Sequence, residues 1–195
     1  MAEPDPETKR ADPATEALAR RLGRPLVLVG LMGVGKSTVG RRLAATLGYA
    51  FVDADEAIEQ AAQMSVPEIF ASYGEAFFRS GERRVIARLI EEAGRGPGQV
   101  IATGGGAFID PETRALILDR GIAIWLDSDV DTLVERVARK GNRPLLQNGD
   151  PREVLVRLKA EREAAYAEAP IHVVSRPGPH QRTVAAILEE LERWP

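Results

Sequence analysis

The chain has 195 residues, of which 44% are hydrophobic and 28% are charged, a balance that predicts one globular domain with a single core. The formal net charge of −3 gives no electrostatic case for binding to nucleic acid or to an anionic membrane. The sequence contains no cysteine, which excludes disulfides, thiolate zinc sites and cysteine nucleophiles.

Residues 1–24 lack the apolar stretch of a signal peptide and contain several acidic residues, which transit peptides avoid. We therefore expect a disordered, solvated tail over residues 1–24, with at most one helical turn around residues 15–22, and a single domain over residues 25–195. No apolar run is long enough to span a bilayer, so the sequence predicts a cytoplasmic protein.

Short apolar runs alternate with helical patterns through the rest of the chain. The runs predict strands over residues 26–29, 49–52, 100–103, 122–126 and 171–174. The patterns predict helices over residues 38–47, 75–93, 111–120, 129–138, 151–167 and 184–194. A capping box at Ser65 and Glu68 predicts one further helix start. This alternation is typical of right-handed crossover units, so we predict a three-layer α/β/α fold around a five-stranded parallel sheet.

The segment between the first strand and the first helix, residues 30–37, matches the pattern G-x-x-x-x-G-K-[ST]. In such a loop the glycines let several backbone N–H groups face one anion, and the dipole of the new helix strengthens the attraction. Lys36 would supply a cation near the β- and γ-phosphate oxygens, and the Ser37 hydroxyl would ligate magnesium. The alternative is a glycine-rich turn without a ligand, but the flanking strand and helix favour a nucleotide site. The residues expected to contact ATP here are Gly33, Val34, Gly35, Lys36, Ser37 and Thr38.

Two carboxylates, Asp53 and Asp55, follow the second strand, at the edge where parallel strands present their carboxyl ends to a ligand. One of them could ligate magnesium while the other accepts a proton from an attacking hydroxyl. The third strand ends in Thr103 and glycines rather than in an acid, which makes Asp53 the best-placed metal ligand. The alternative for Asp55 is that it only caps a helix over residues 56–61.

Three further features each allow a functional and a structural interpretation. Gly104–Gly106 would let the backbone approach a ligand closely, or would form a flexible turn. Arg79 and Glu82 lie one helical turn apart. As a fixed pair they would orient the Arg79 guanidinium toward the carboxylate of a substrate; the alternative is an ordinary surface ion pair. The basic, unpatterned loop over residues 140–149 is typical of a lid. In a lid, Arg143 would neutralise transition-state charge; otherwise it would be a solvated loop arginine.

In order and spacing, these segments resemble the shikimate kinase family over nearly all of residues 25–194. The matching segments are 30–37, Phe51–Asp55 with Ile58 and Glu59, Ser65–Phe70, Gly74–Glu75 with Phe78, Arg79 and Glu82, Gly104–Gly106, Arg143–Leu146, and Arg162 with Tyr166. The resemblance implies a P-loop NTPase-like fold with a mobile lid over about residues 139–150. It also implies transfer of the γ-phosphoryl group of ATP to the 3-hydroxyl of shikimate, with Mg²⁺, in aromatic amino-acid biosynthesis. We expect a monomer.

The resemblance implies a role for each matching residue. Lys36, Asp55 and Arg143 would be catalytic, and Asp55 would hold the shikimate hydroxyls and act as a base. Ser37 and Asp53 would form the magnesium side, and Arg139 and Arg143 would lie near the nucleotide. The residues implied to bind shikimate are Asp55, Arg79, Gly104, Gly105, Gly106, Arg162, Phe70, Phe78 and Pro144. Within that set, the two arginines would clamp the shikimate carboxylate.

Two alternatives remain open at this point. One is another small-molecule P-loop kinase, such as a gluconate or nucleoside monophosphate kinase, against which the Asp53–Asp55 pair and the Arg143–Leu146 segment argue. The other is a nucleotide-dependent switch of the GTPase type, which would carry an Asn-Lys-x-Asp signature that this sequence lacks.

Overall fold

The computed structural model describes residues 13–94, 98–138 and 150–195. It contains five parallel strands in the order β2-β3-β1-β4-β5. The strands are β1 (Leu26–Val29), β2 (Ala50–Asp53), β3 (Gln99–Ala102), β4 (Ile122–Asp127) and β5 (Ile171–Val174). The predicted α/β class and the parallel sheet are confirmed.

Helices flank the sheet and connect its strands. They are α1 (Pro13–Leu22), α2 (Lys36–Leu47), α3 (Ala54–Ala62), α4 (Val66–Ala93), α5 (Pro111–Arg120), α6 (Val130–Ala138), α7 (Pro151–Tyr166) and α8 (His180–Arg193). None of these helices is both long and apolar enough to cross a membrane.

The central strand β1 shows why the apolar runs are continuous. All four of its residues are buried, because parallel strands are covered on both faces. Leu28 faces α2, where a Cβ on Gly40 would lie 3.1 Å from its side chain. Val27 faces the opposite layer, where a Cβ on Gly121 would lie 3.0 Å from its side chain. The core therefore extends to both sides of the sheet.

Helix α1 corrects the prediction of a solvated tail, which is wrong for residues 13–22. Leu18 and Leu22 are buried, and the helix contacts α2 and α8. The Tyr49 hydroxyl donates to the carbonyl of Ala19 at 2.5 Å. The spacing of four between the leucines places them on one face of the helix. The many charged residues of the segment make this short apolar face difficult to recognise in the sequence.

Helix α4 begins at the predicted capping box, earlier than the long helix predicted over residues 75–93, and contains one irregular residue. The capping box at Ser65 and Glu68 is confirmed, and the helix follows it directly. Gly74 has φ 78° and ψ 172°, which interrupts the helical backbone just before the predicted start at residue 75. The two halves of α4 are therefore joined by a glycine that is not helical.

Helix α8 also begins earlier than predicted, at His180 rather than at residue 184. Pro179 precedes the first turn in an extended conformation, which a proline adopts readily. The early start brings His180 to the carboxyl edge of the sheet. The predicted lid over residues 139–150 lies outside the described residues except for Asp150, which caps α7.

Candidate active site

A cleft of about 420 Å³ opens at the carboxyl ends of the strands. Its walls bring together residues that are far apart in the sequence. The predicted site residues among them are Gly33, Gly35, Lys36, Ser37, Thr38, Asp53, Asp55 and Gly105. The sequence-based expectation that the loop over residues 30–37 faces the two aspartates is met in this geometry.

The loop over residues 30–37 has the backbone that an anion site needs. Gly33 and Gly35 have φ values of 85° and 99°, in the left-handed region that favours glycine. Gly35 is the N-cap of α2 and makes no side-chain cap hydrogen bond, so the positive end of the helix dipole lies at the cleft without a side-chain cap. The ammonium of Lys36 donates to the carbonyls of Gly30 at 2.7 Å and Leu31 at 2.9 Å, which holds it across the loop.

The two aspartates differ in their local roles. Asp53, not Asp55, is the N-cap of α3, and its carboxylate accepts from the backbone N–H of Asp55 at 3.1 Å. The alternative that Asp55 is merely a cap is therefore wrong. Asp53 also accepts a 2.6 Å hydrogen bond from the hydroxyl of Ser37. One carboxylate thus connects the phosphate loop to the start of α3, the helix that carries Asp55.

Arg79 is held by a buried carboxylate. Its guanidinium donates to Glu82 at 2.7 Å and to Glu75 at 3.1 Å. Glu82 is only 2% exposed, and burial raises the pKa of its carboxyl, while Arg79 opposes that rise. The interpretation of the Arg79–Glu82 pair as an ordinary surface ion pair is therefore wrong.

The glycine run lies between these charged groups. A Cβ on Gly104 would lie 2.7 Å from an oxygen of Glu82 and 2.9 Å from an oxygen of Asp55. A Cβ on Gly106 would lie 2.6 Å from the guanidinium of Arg79. Any larger residue at either position would force these side chains to move, so close approach explains both glycines better than turn flexibility does.

Arg162 reaches the same glycine run from α7. Its guanidinium donates to the carbonyl of Gly105 at 2.9 Å, and the Tyr166 hydroxyl donates to the same oxygen at 2.5 Å. Burial raises the pKa of Tyr166 to about 12, so the phenol remains a donor at neutral pH. Arg162 has no distinguishing spacing in the sequence, and Tyr166 can be recognised there only as part of the family pattern.

The aromatic residues Phe70 and Phe78 pack beside Arg79 and, like Arg79, are not among the described residues that line the cleft. The rings of Phe70 and Phe78 have centroids 4.6 Å apart, and Phe78 is buried. The Arg79 guanidinium lies over the Phe78 ring at 5.3 Å. The Phe78 ring therefore packs against the Arg79 guanidinium. Three other predicted site residues, Arg139, Arg143 and Pro144, lie outside the described residues.

The residues that line the far end of the cleft have no role assigned to them from the sequence. Its walls come from α6 and from the connection between β5 and α8 up to the first residue of α8. They are formed by Thr132, Glu135, Arg136, Pro177, Gly178 and His180. The pKa of His180 is lowered, first by burial and then by the positive charges of Arg136 and Arg42. These residues fit no compact motif, because two segments that are far apart in the sequence supply them.

Comparisons with known proteins agree on one family. The shikimate kinase family model matches residues 32–192. A shikimate kinase from Novosphingobium aromaticivorans is 65% identical over 92% of this chain and 93% of its own length. One from Caulobacter vibrioides is 53% identical over 92% of this chain and 88% of its own. The solved structure of shikimate kinase from Acinetobacter baumannii in complex with shikimate has a TM-score of 0.84 and 36% identity, and the match covers 92% of this chain and 97% of that one. This chain therefore belongs to the shikimate kinase family.

Proposed function

We propose that this protein transfers the γ-phosphoryl group of ATP to the 3-hydroxyl of shikimate, which yields shikimate 3-phosphate and ADP. The observation that carries the proposal is the convergence of Arg79 and Arg162 on the glycine run. Asp55 lies beside the same run, next to Gly104, and lines the cleft together with the phosphate loop. The guanidinium groups of Arg79 and Arg162 and the carboxylate of Asp55 thus lie around the same short glycine segment.

This arrangement matches the chemistry of the acceptor. Shikimate is a small monoanion with a carboxylate at one end of its ring and hydroxyls at the other. The guanidinium groups of Arg79 and Arg162 would bind the carboxylate, because planar donors suit that geometry. The Asp55 carboxylate would then accept hydrogen bonds from the shikimate hydroxyls and take the proton from the attacking oxygen. Gly104 and Gly106 leave the room that these contacts need.

The phosphate loop would bind the triphosphate of ATP. The N–H groups at the start of α2 and the ammonium of Lys36 supply positive charge where negative charge accumulates in the transition state. In-line transfer depends mainly on such positioning and charge neutralisation. Arg143 and Arg139, which the family resemblance places near the nucleotide, would add further positive charge from the lid.

Magnesium fits the oxygen ligands that the cleft presents. The hydroxyl of Ser37 and the carboxylate of Asp53 lie 2.6 Å apart, and both are hard oxygen ligands of the kind that Mg²⁺ prefers. Ser37 and Asp53 would hold the ion, directly or through water. When bound with ATP, the ion would screen the charge of the β- and γ-phosphate oxygens.

We also infer that the enzyme works as a monomer in the cytoplasm. The described residues of one chain supply the arginines, the carboxylates and the phosphate loop of the site, which favours activity without a second subunit. ATP as co-substrate favours the cytoplasm. Light scattering at assay concentrations tests the first inference, and a dimeric mass would contradict it.

A substrate panel tests the proposed function. ADP release with Mg-ATP should be rapid with shikimate and near background with quinate, gluconate or AMP. Faster release with gluconate or AMP would overturn the assignment. In the same assay, Arg79→Met should raise the KM for shikimate by at least about tenfold, since a hydrogen bond to a charged group contributes about 1.5–3 kcal/mol. Arg83→Met is the matched control, because Arg83 lies on the same helix and pairs with Glu112 instead.

A further inference from the structure

One arginine of the unpredicted end of the cleft connects three segments of the chain. The Arg136 guanidinium donates to the carbonyl of Val34 at 3.1 Å and to the hydroxyl of Ser175 at 3.2 Å. It also donates to the carbonyl of Arg176 at 3.2 Å. Arg136 thus joins the phosphate loop to the connection between β5 and α8.

The bond to Val34 affects the peptide that follows it. In a planar trans peptide, the carbonyl and the next N–H point in opposite directions. With the carbonyl of Val34 directed at Arg136, the N–H of Gly35 is directed away from α6. Gly35 is the residue that caps α2, so its N–H is one of the donors that a phosphate group would meet.

The other bonds anchor Arg136 to the rigid sheet. Ser175 is fully buried, and its backbone N–H donates to the carbonyl of Asp127 at 2.7 Å. The Ser128 hydroxyl donates to the carbonyl of Ser175 at 2.8 Å. The Ser175 backbone therefore belongs to the carboxyl edge of the sheet, and it gives Arg136 a fixed support from which to hold the phosphate loop.

The same connection forms the cleft wall beyond the phosphate loop. Pro177, Gly178 and His180 line the cleft together with Arg136. The His180 ring lies 3.5 Å from the position of a Cβ on Gly35, so the wall and the loop meet. A nucleotide with its phosphates in the loop would extend its remaining part along this wall.

We propose that Arg136 is a positioning residue for the nucleotide. Its one planar guanidinium sets the direction of the Gly35 N–H and, at the same time, holds the wall formed by residues 176–180. The phosphate end and the base end of the site are thereby kept in register. The inference rests on the proposed function in that ATP is the nucleotide, but it does not depend on the acceptor.

Binding of ADP, measured calorimetrically without an acceptor, tests the proposal on the full chain. Arg136→Met should raise the Kd for ADP and the KM for ATP by about tenfold, and the KM for shikimate should change by less than about twofold. Arg136→Lys should recover part of the loss, to about threefold, because an ammonium cannot hold all the separate acceptors. Arg157→Met is the matched control, since Arg157 is exposed on α7 and pairs only within that helix in the described structure.

Two results would overturn the proposal. One is an unchanged Kd for ADP in a folded Arg136→Met or Arg136→Lys protein. The other is an equal rise in both KM values together with a lowered melting temperature, which would give Arg136 a general structural role. If Arg136→Met does not fold, the comparison of Arg136→Lys with the wild type decides. ADP binding is independent of the acceptor, so a failure of the shikimate assignment would leave this test intact.

Discussion

The carbonyl of Gly105 accepts two side-chain hydrogen bonds, from Arg162 and from Tyr166. The peptide that follows is therefore held with the N–H of Gly106 directed the other way. Tyr166 also lies between the rings of Phe108 and Trp125, with centroids 6.5 Å and 5.9 Å away, which leaves the phenol little freedom. A buried tyrosine thus supports the shelf on which we place the acceptor.

Removal of that hydroxyl should weaken acceptor binding. We expect Tyr166→Phe to raise the KM for shikimate about three- to tenfold and to leave the KM for ATP unchanged, since one hydrogen bond contributes about 1 kcal/mol. Steady-state kinetics with each substrate varied in turn measures both values. Tyr49→Phe is the control, because it loses a similar bond to the carbonyl of Ala19, far from the glycine run. Equal KM shifts in both variants would contradict the assignment.

Glu82 makes stability depend on pH. Burial raises its pKa, and the charges of Asp55 and Asp110 add to the rise, although Arg79 opposes it. The folded state then binds more protons than the unfolded state, so stability falls as pH rises above the ordinary glutamate value of about 4.3. We expect the free energy of unfolding of the wild type to decline with pH relative to Glu82→Gln. Urea denaturation at several pH values measures this difference.

The role of Arg79 provides an internal check. Arg79→Met removes the charge that opposes the rise in the pKa of Glu82, so the decline of stability with pH should become steeper. A difference between the wild type and Glu82→Gln that stays constant from about pH 5 to pH 8 would mean that burial does not raise this pKa.

Among the elements, α4 depends on a glycine for its conformation. The backbone of Gly74, with φ 78° and ψ 172°, lies in a region that is essentially restricted to glycine. We expect Gly74→Ala to lower the free energy of unfolding by about 1–3 kcal/mol. The cost comes from the clash of Cβ with the adjacent backbone and not from contacts with the rest of the protein, because beyond the chain neighbours a Cβ there would meet nothing within 4 Å. Chemical denaturation of the purified variant measures the loss.

Gly81 offers the matched control in the same helix. A Cβ at Gly81 also meets nothing within 4 Å, and its backbone is helical. We expect Gly81→Ala to raise stability by about 0.5–1 kcal/mol, because alanine loses less backbone entropy in a helix. Losses of equal size in both variants would show that the side chain, and not the backbone of Gly74, is responsible.

Most elements could be predicted because their signals are local. Buried parallel strands leave continuous apolar runs, and the caps at Ser65 and Asp110 lie beside the helices that they start. Helix α1 was missed because only Leu18 and Leu22 carry its apolar face. The early start of α8 was missed because proline and glycine precede it and weaken the helical pattern.

For the molecule as a whole, the nucleotide should act as a stabiliser. A ligand that binds only the folded state adds about 2.7 kcal/mol at one hundred times its Kd. We expect ADP to raise the melting temperature of the wild type and to have little effect on Lys36→Met, whose phosphate loop lacks the ammonium. Differential scanning fluorimetry with increasing ADP measures the shift. An equal shift in Lys36→Met would show that Lys36 is not required for ADP binding.

The candidate site divides into a part that the sequence reveals and a part that only the fold reveals. The loop over residues 30–37 is contiguous, so its pattern can be read directly. The contact between Arg162 and Gly105 joins residues 57 positions apart, and that between Arg136 and Val34 joins residues 102 positions apart. Such contacts depend on the crossover of whole elements, and an isolated arginine on a helix carries no local sign of them.

The strand order has a consequence for how this enzyme could change its acceptor. The strand that leads into Asp53 and Asp55 lies at the border of the sheet, whereas the strand that leads into the nucleotide loop lies at its centre. A border strand and the helical hairpin after it can be exchanged or reshaped without disturbing the middle of the sheet. New acceptor preferences could therefore be engineered into the helices over residues 54–93 while Asp53 and the rest of the machinery that handles ATP stay in place.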